Sequence, residues 1–317
     1  MTDIKHAVSI DQFDNPSIER LFLRARTLRD ADVQASSLAG KVLACLFYEP
    51  STRTSSSFIA AMTRAGGSVI PITQGVQFSS VSKGETLEDT IVTLGQYADA
   101  IVLRHPEVGA AARAAAVSPV PVINAGDGAG EHPTQALLDL FTIQEECGGR
   151  LDELNVTFVG DLAHGRTVHS LAKLLARHNT KINLVSPFLL RLNRIGDDDP
   201  TYRAVKHRIG RERTVKNGLH EAQDILNDSD VIYMTRVQRE RFTYAEGYAE
   251  VKDSCLLTDE IVAGLKPRAR ILHPFPRVNE IPTTIDKDPR AAYFRQIRNG
   301  LWVRMALLES VILGRTP

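Results

Sequence analysis

Short apolar or β-branched runs alternate along this chain with longer amphipathic segments, and that alternation restricts its fold more than any other feature. The runs are KVLACLF (41 to 47), SVIPI (68 to 72), DAIVL (99 to 103), VPVIN (120 to 124), NVTFV (155 to 159), KINLV (181 to 185), DVIYMT (230 to 235) and ARILH (269 to 273). Between them lie helical patterns such as TSSSFIAAMTRA, stopped by Gly66 and Gly67, and PTQALLDLFTIQEEC, which opens on Pro133 and stops at Gly148. Strand, helix and strand in that order make a parallel pair covered by a helix. The expected class is therefore α/β, with doubly wound parallel sheets carrying helices on both faces. Eight strands in two sets of four, on a chain of 317 residues, point to two such domains, because a single core stops growing near that length. The expected division is residues 1–133 plus a C-terminal helix at about 298–317, and residues 134–297. Helices should link the two, with an active site in the interdomain cleft.

The charge balance argues against two classes of partner. Lys plus Arg and Asp plus Glu both number 38, so no global positive field is expected to hold nucleic acid or an anionic membrane. With 43% hydrophobic and 24% charged residues, the composition is that of an ordinary folded protein. The opening MTDIKHAVSIDQF has no apolar leader core, and the best candidate for a membrane span, LWVRMALLESVILG, is broken by Arg304 and Glu309. A cytoplasmic protein is expected. Cys45, Cys147 and Cys255 form no Cys-x-x-Cys pair, and no Asp/Glu/His cluster has metal-ligand spacing, so neither a disulfide framework nor a metal is expected. The stretch 190–216 interleaves basic residues with the triplet Asp197, Asp198 and Asp199, and reads as a solvated loop and helix face.

In open parallel sheets ligands collect beyond the carboxyl ends of the strands. After KVLACLF the chain runs Tyr48-Glu49-Pro50-Ser51-Thr52-Arg53-Thr54 into a helix start. Hydroxyls there can simply cap backbone N–H groups. Three hydroxyls and an arginine at one helix N-terminus also describe a phosphate site. Arg104 and His105 follow DAIVL, and His132, Pro133, Thr134 and Gln135 follow VPVIN, with His132 and Gln135 three apart on one helical face. A lone histidine in that place packs or caps; with Arg53 and Arg104 at neighbouring strand ends it fits a shared site. Gly160 to Thr167 (GDLAHGRT) comes near the nucleotide P-loop pattern, but Arg166 stands where lysine belongs and Asp161 puts a negative charge in the loop. Arg236 and Gln238 follow DVIYMT, while Pro274, Phe275, Pro276 and Arg277 follow ARILH. This inventory suits a small, multiply anionic ligand, with phosphate at the first lobe and carboxylates at the second. There is no Gly-x-Ser-x-Gly nucleophile pattern.

Phe47 to Thr54 (FYEPSTRT) resembles the carbamoyl-phosphate signature of the aspartate/ornithine carbamoyltransferase family, and Leu103 to Pro106 (LRHP) and His132 to Gln135 (HPTQ) resemble its next two motifs. Ser79 to Glu85 (SSVSKGE), Gly160 to Ser170 (GDLAHGRTVHS), Tyr233 to Arg241 (YMTRVQRER) and His273 to Arg277 (HPFPR) are similar to motifs of its aspartate branch. The matches run in order over essentially the whole chain. The resemblance implies transfer of a carbamoyl group from carbamoyl phosphate to L-aspartate, the committed step of pyrimidine biosynthesis, without a cofactor.

The resemblance also implies roles. Ser51, Thr52, Arg53 and Thr54 would cradle the phosphate with Arg104 shared, and Thr54, Arg104 and His132 would stabilise the charge that develops on the carbonyl oxygen. Gln135 would hold the carbamoyl NH2. Arg166, Arg236 and Gln238 would grip the aspartate carboxylates, and the backbone around Pro274 and Phe275 would meet its amine or the carbamoyl group. Ser79 and Lys83 would reach in from the neighbouring subunit on a mobile loop, which makes a homotrimer the minimal active unit. Regulatory chains or a dihydroorotase are further partners the family allows. Arg53, Lys83, Arg104, Arg166, Arg236 and Arg277 are then expected to converge on one cleft, and an X-Pro bond in HPFPR to be cis. Three positions depart from the usual pattern: Ser55 where arginine is frequent, Ala163 where lysine is usual, and Phe275 in place of leucine or methionine. The competing readings are a carbamoyltransferase for another amino acid and a P-loop-like nucleotide-binding protein.

Overall fold

The structure is a computed structural model that describes residues 5–31, 36–73, 80–193, 198–239, 242 and 245–314. Its contacts divide the chain into two compact units, Met1–Phe141 with Arg298–Pro317, and Thr142–Ile297.

Unit 1 contains α1 (Asn15–Asp30), β1 (Val42–Phe47), α2 (Thr52–Arg64), β2 (Ser68–Ile72), α3 (Leu87–Leu94), β3 (Ala100–His105), α4 (Ala110–Val117), β4 (Val122–Asp127) and the start of α5 (Pro133–Glu146). Its four strands are all parallel, in the order β2-β1-β3-β4. Side chains alternate between faces, as the pleat requires. Ala44, Leu46, Ile101 and Leu103 pack with Ile91 and Leu94 of α3 and with Ala110 and Ala114 of α4. Leu43, Cys45, Phe47 and Val102 fill the opposite face and are equally buried. Burial on both faces is why these strands read as continuous apolar runs. The chain moves from β1 to β2 on one side and then crosses to β3 on the other. The order therefore reverses between β1 and β3, and their carboxyl ends make the crevice where such a sheet takes its ligand.

Unit 2 contains β5 (Asn155–Val159), α6 (Arg166–Leu175), β6 (Lys181–Ser186), α7 (Pro200–Val205), β7 (Ile209–Thr214), α8 (Gln223–Asn227), β8 (Val231–Met234), α9 (Ala245–Val251), α10 (Asp259–Ala263), β9 (Arg270–Leu272) and the start of α11 (Tyr293–Leu313). Its five strands are again parallel, in the order β7-β6-β5-β8-β9, and the order reverses between β5 and β8. Both sheets and their helices match the expected α/β class.

The eight expected strands are all present, but the sets are four and five. The additional strand is β7, inside the stretch read from sequence as loop and helix. It lies at the sheet edge, pairs among the described residues only with β6, and leaves Glu212, Arg213 and Thr214 exposed. An edge strand with solvent on most of its surface needs no apolar alternation, and its charges discourage pairing with other chains. The division between the units also falls about two helical turns beyond the expected 133/134 boundary, within α5.

The C-terminal part of α11 belongs to unit 1, where Trp302, Val303, Met305, Ala306, Leu307 and Leu308 are buried. Each large side chain so buried contributes about 1.5–3 kcal/mol. A bidentate ion pair also ties the helix to α1: Arg24 donates to Glu309 through Nε at 2.6 Å and Nη2 at 2.9 Å. No helix among the described residues is long and apolar enough to cross a membrane.

Candidate active site

The first cluster forms where β1, β3 and β4 of unit 1 end side by side. Phe47 is in register with Arg104, and the N–H of Tyr48 donates to the Arg104 carbonyl at 2.9 Å. The chain then turns into α2, with Ser51 at the N-cap, but the Ser51 hydroxyl makes no capping hydrogen bond. The simple capping role is thus absent. First-turn N–H groups have no partner within a helix, and here they sit beside the exposed Thr52 and Arg53 and the buried Thr54. A helix N-terminus of this kind, with its positive dipole end and an arginine, is suited to an anion.

Arg104 is held against the same turn, its Nε 3.6 Å from Glu49 Oε2. The next residue, His105, packs against Tyr48 with ring centroids 4.3 Å apart and the rings tilted by 57°. Burial pulls the His105 pKa down, and its Nδ1 accepts the N–H of Glu107 at 3.1 Å, the pattern of a neutral ring. His132 lies just before α5 and is 4% exposed, with Nδ1 3.4 Å from the Thr134 hydroxyl. Its carbonyl accepts the N–H groups of Gln135 and Ala136. The Gln135 side chain donates through Nε2 to Asp139 Oδ1 at 2.8 Å.

Asp127 organises the approach to His132 and was not singled out from the sequence. Its carboxylate accepts the N–H groups of Gly109 at 2.8 Å and Glu131 at 2.9 Å, and the Asn124 amide at 3.2 Å. It thus knits the loop after β3 to the loop after β4. The GDG string offered a turn signal at this place, but nothing that named its partners.

Lys83 ends a short 3-10 helix, Ser80–Lys83, ahead of α3. It is exposed and makes no hydrogen bond or ion pair among the described residues. Ser79 lies outside the described residues.

Unit 2 gathers its cluster at the ends of β5, β8 and β9. Gly160 has φ +112°, and a Cβ there would lie 2.2 Å from the Thr235 carbonyl oxygen, so only glycine permits this approach. Thr235 in turn donates to the Val159 carbonyl through its N–H at 2.8 Å and its hydroxyl at 2.9 Å. These contacts start the loops bearing Arg166 and Arg236 from one point. Within the first loop, buried Asp161 accepts the N–H of His164 at 3.0 Å. Arg166, Arg236 and Gln238 are all half-buried.

After β9 the chain passes through Pro274 and Phe275, and the Phe275–Pro276 bond is cis, as expected. Phe275 has φ +58°, and its N–H donates to His273 Nδ1 at 2.7 Å. Its ring packs against those of Tyr293 and Phe294. Arg277 is engaged differently from its neighbours. It forms a bidentate pair with Asp286, which also accepts the Tyr293 hydroxyl at 2.5 Å. The Asp286 hydrogen bond raises the Arg277 pKa further. Arg277 therefore anchors its own loop, and the expectation that it joins the ligand-facing cations is corrected. Among the described residues no group of three or more His, Cys, Asp or Glu is placed to hold a metal, and Cys45, Cys147 and Cys255 are unpaired thiols.

Residues 5–145 match the aspartate/ornithine carbamoyltransferase carbamoyl-phosphate-binding domain, and residues 152–311 match the Asp/Orn-binding domain. The chain belongs to the aspartate/ornithine carbamoyltransferase family. It is 46% identical over 312 residues to aspartate carbamoyltransferase 1, chloroplastic, of Pisum sativum, covering 97% of this chain and 78% of that one. It is 48% identical over 310 residues to the multifunctional protein pyr1-3 of Dictyostelium discoideum, covering 97% of this chain. The chain spans only 13% of that much longer relative. A Trypanosoma cruzi aspartate transcarbamoylase, solved with carbamoyl phosphate and aspartate, superposes with TM-score 0.87 at 42% identity, covering 97% of this chain and 96% of that one. The catalytic subunit of the M. jannaschii aspartate transcarbamoylase superposes with TM-score 0.86 at 44% identity, covering 98% of both chains.

Proposed function

We propose that this carbamoyltransferase moves the carbamoyl group of carbamoyl phosphate to the amine of L-aspartate, giving N-carbamoyl-L-aspartate and phosphate in pyrimidine biosynthesis. The observation that carries the reading is that each unit, taken by itself, bears a distinct set of anion-binding residues at the reversal of its sheet. In unit 1 the N-terminus of α2, without a side-chain cap, carries Arg53, while Arg104 ends the neighbouring strand β3 and His132 follows β4, a set suited to phosphate and a polarised carbonyl. In unit 2 Arg166, Arg236 and Gln238 rise from adjacent strand ends, a set suited to two carboxylates. Aspartate-transcarbamoylase relatives solved with these ligands share more than 40% of the sequence.

The amine attacks the carbamoyl carbon, and the carbonyl oxygen gains negative charge opposite Thr54, Arg104 and His132. The carbon–oxygen bond to phosphate then breaks, and the leaving phosphate, held by Ser51, Thr52, Arg53 and Thr54, takes the amine proton. No separate protein base is needed. The energetic contribution is electrostatic: donors fixed in advance at the oxygen where charge develops. Pro274 and Phe275 would present backbone groups to the amine.

Lys83, exposed and without a partner among the described residues, fits a role in a neighbour's site, so a homotrimer with shared active sites is part of the proposal, Ser79 included. Unit 1 would then be the carbamoyl-phosphate domain and unit 2 the aspartate domain. Cytoplasmic placement and association with regulatory chains or a dihydroorotase belong to the same proposal, and cell fractionation and co-purification test them. The deciding assay follows carbamoyl transfer to aspartate, ornithine and other amines. Aspartate should be preferred by orders of magnitude; faster turnover with ornithine would reject the assignment.

A further inference from the structure

α11 sends one charge into the interior of unit 1. Arg304 is 4% exposed, and burial draws its guanidinium down to about 10 against the opposing charge of Asp139, so it remains a cation at neutral pH. Its Nη1 donates to the Ser57 hydroxyl on α2 at 2.9 Å, and its guanidinium carbon lies 5.1 Å from the centre of the Phe58 ring. Asp139, on α5, has no exposed surface and accepts the Gln135 amide one turn earlier. Space for the guanidinium is left at Gly300, one turn before Arg304. A Cβ at Gly300 would lie 2.9 Å from Arg304 Nη1 and 3.0 Å from Leu138 Cδ2. Carbamoyl transfer as described above uses none of Ser57, Asp139, Gly300 or Arg304. Yet they tie α11 to the two helices whose N-termini carry the phosphate and carbamoyl residues.

Opposite a buried guanidinium, the ionised form of Asp139 is the one that neutralises the interior. An ionised carboxylate only accepts hydrogen bonds. Gln135 must therefore turn its NH2 toward Asp139. Its carbonyl oxygen, Oε1, makes no hydrogen bond among the described residues and is left as an acceptor. We propose that Asp139 and Arg304 are positioning residues that fix Gln135 as an acceptor and thereby select a carbamoyl group, whose NH2 can donate, over an acetyl group of the same shape, whose CH3 cannot. The inference rests on the carbamoyl-transfer reading and names a specificity device within it.

The test compares kcat/KM for carbamoyl phosphate and acetyl phosphate, with aspartate as acceptor, in the wild type and in Asp139→Asn. Asparagine can donate as well as accept, so the Gln135 amide is free to turn over. The preference for carbamoyl phosphate should fall roughly five- to tenfold, the scale of one selective hydrogen bond, while the KM for aspartate stays within about twofold. An unchanged preference in a folded variant overturns the proposal. Should Asp139→Asn fail to fold, the wild type itself decides through NMR hydrogen exchange of the Gln135 side-chain amide. Slow exchange supports the fixed orientation, and exchange at the rate of a solvated glutamine overturns it. A wild type that transfers neither group would sink the carbamoyl-transfer reading, and the exchange rate would then decide the fixed amide alone.

Discussion

His273 holds Glu280 with one ring nitrogen and the backbone of Phe275 with the other. The Nε2–Oε1 distance to Glu280 and the distance from the Phe275 N–H to Nδ1 are both 2.7 Å. Because Nδ1 accepts, the ring proton sits on Nε2 and is donated to the carboxylate. One tautomer therefore joins a buried acid to the loop proposed to meet aspartate.

The pH dependence of that link has a definite sign. Burial pushes the Glu280 pKa up, but hydrogen bonds from His273 and the backbone outweigh it and leave the group below its ordinary 4.5. A depressed carboxylate stabilises the fold above its unfolded pKa, and the contribution is lost as pH falls through the folded value. The difference in Tm between wild type and Glu280→Gln should be flat down to about pH 4.5 and shrink below it. A difference that widens on acidification would refute the assignment. His273→Ala should cost about 3 kcal/mol in urea unfolding, because it leaves a buried acid without its side-chain partner.

Gly160→Ala is expected to be expensive for so small a change. The methyl would meet the Thr235 oxygen at 2.2 Å, on a backbone at φ +112° that side chains rarely adopt. A loss of about 3 kcal/mol in stability is expected, with a raised KM for aspartate as the loops of Arg166 and Arg236 separate. Wild-type stability in the variant would show that the close approach relaxes freely.

On the proposed function, Arg53→Ala should remove a charge-assisted contact to phosphate. It should lower kcat/KM by roughly 30-fold or more, about 2 kcal/mol of transition-state stabilisation, with the fold intact by circular dichroism. Unaltered turnover would place the phosphate elsewhere.

Shared sites predict complementation. If the chain forms the proposed trimer, Lys83→Ala and Arg53→Ala assemblies, each nearly inactive, should regain activity when dissociated and mixed, because some interfaces then bring the intact Arg53 of one chain to the intact Lys83 of its neighbour. Hybrids verified by mass spectrometry that stay as inactive as their parents would exclude sharing.

What the sequence reveals and conceals follows from where information is stored. Strands buried on both faces, such as Leu43 to Phe47, are legible because solvent exclusion writes a continuous apolar run. Strand β7 is not, since Arg211, Glu212 and Arg213 are held by a ladder on one side and carry no burial signal. The same contrast holds in the site. Arg53, Arg104 and His132 announce themselves by following strands. Asp127 and Asp139 work through partners 18 positions away or a turn upstream, and a single chain records no such pairing. Arg277 shows the converse, a cation in the right place in sequence whose charge is consumed by Asp286.

The buried guanidinium of Arg304 also bears on how the protein is made. Ser57 and Asp139 leave the ribosome early, yet the cation they enclose comes only after all of unit 2 has been translated. Domains tend to fold in the order of their synthesis. Here that order is inverted for completion: Thr142–Ile297 can close on its own strands while the earlier sheet waits for the last helix to bring the cation into its interior. The first domain to be started is the last to be finished, and a nascent chain halted before residue 304 should be recognisable by a protease-sensitive unit 1 beside a protected unit 2.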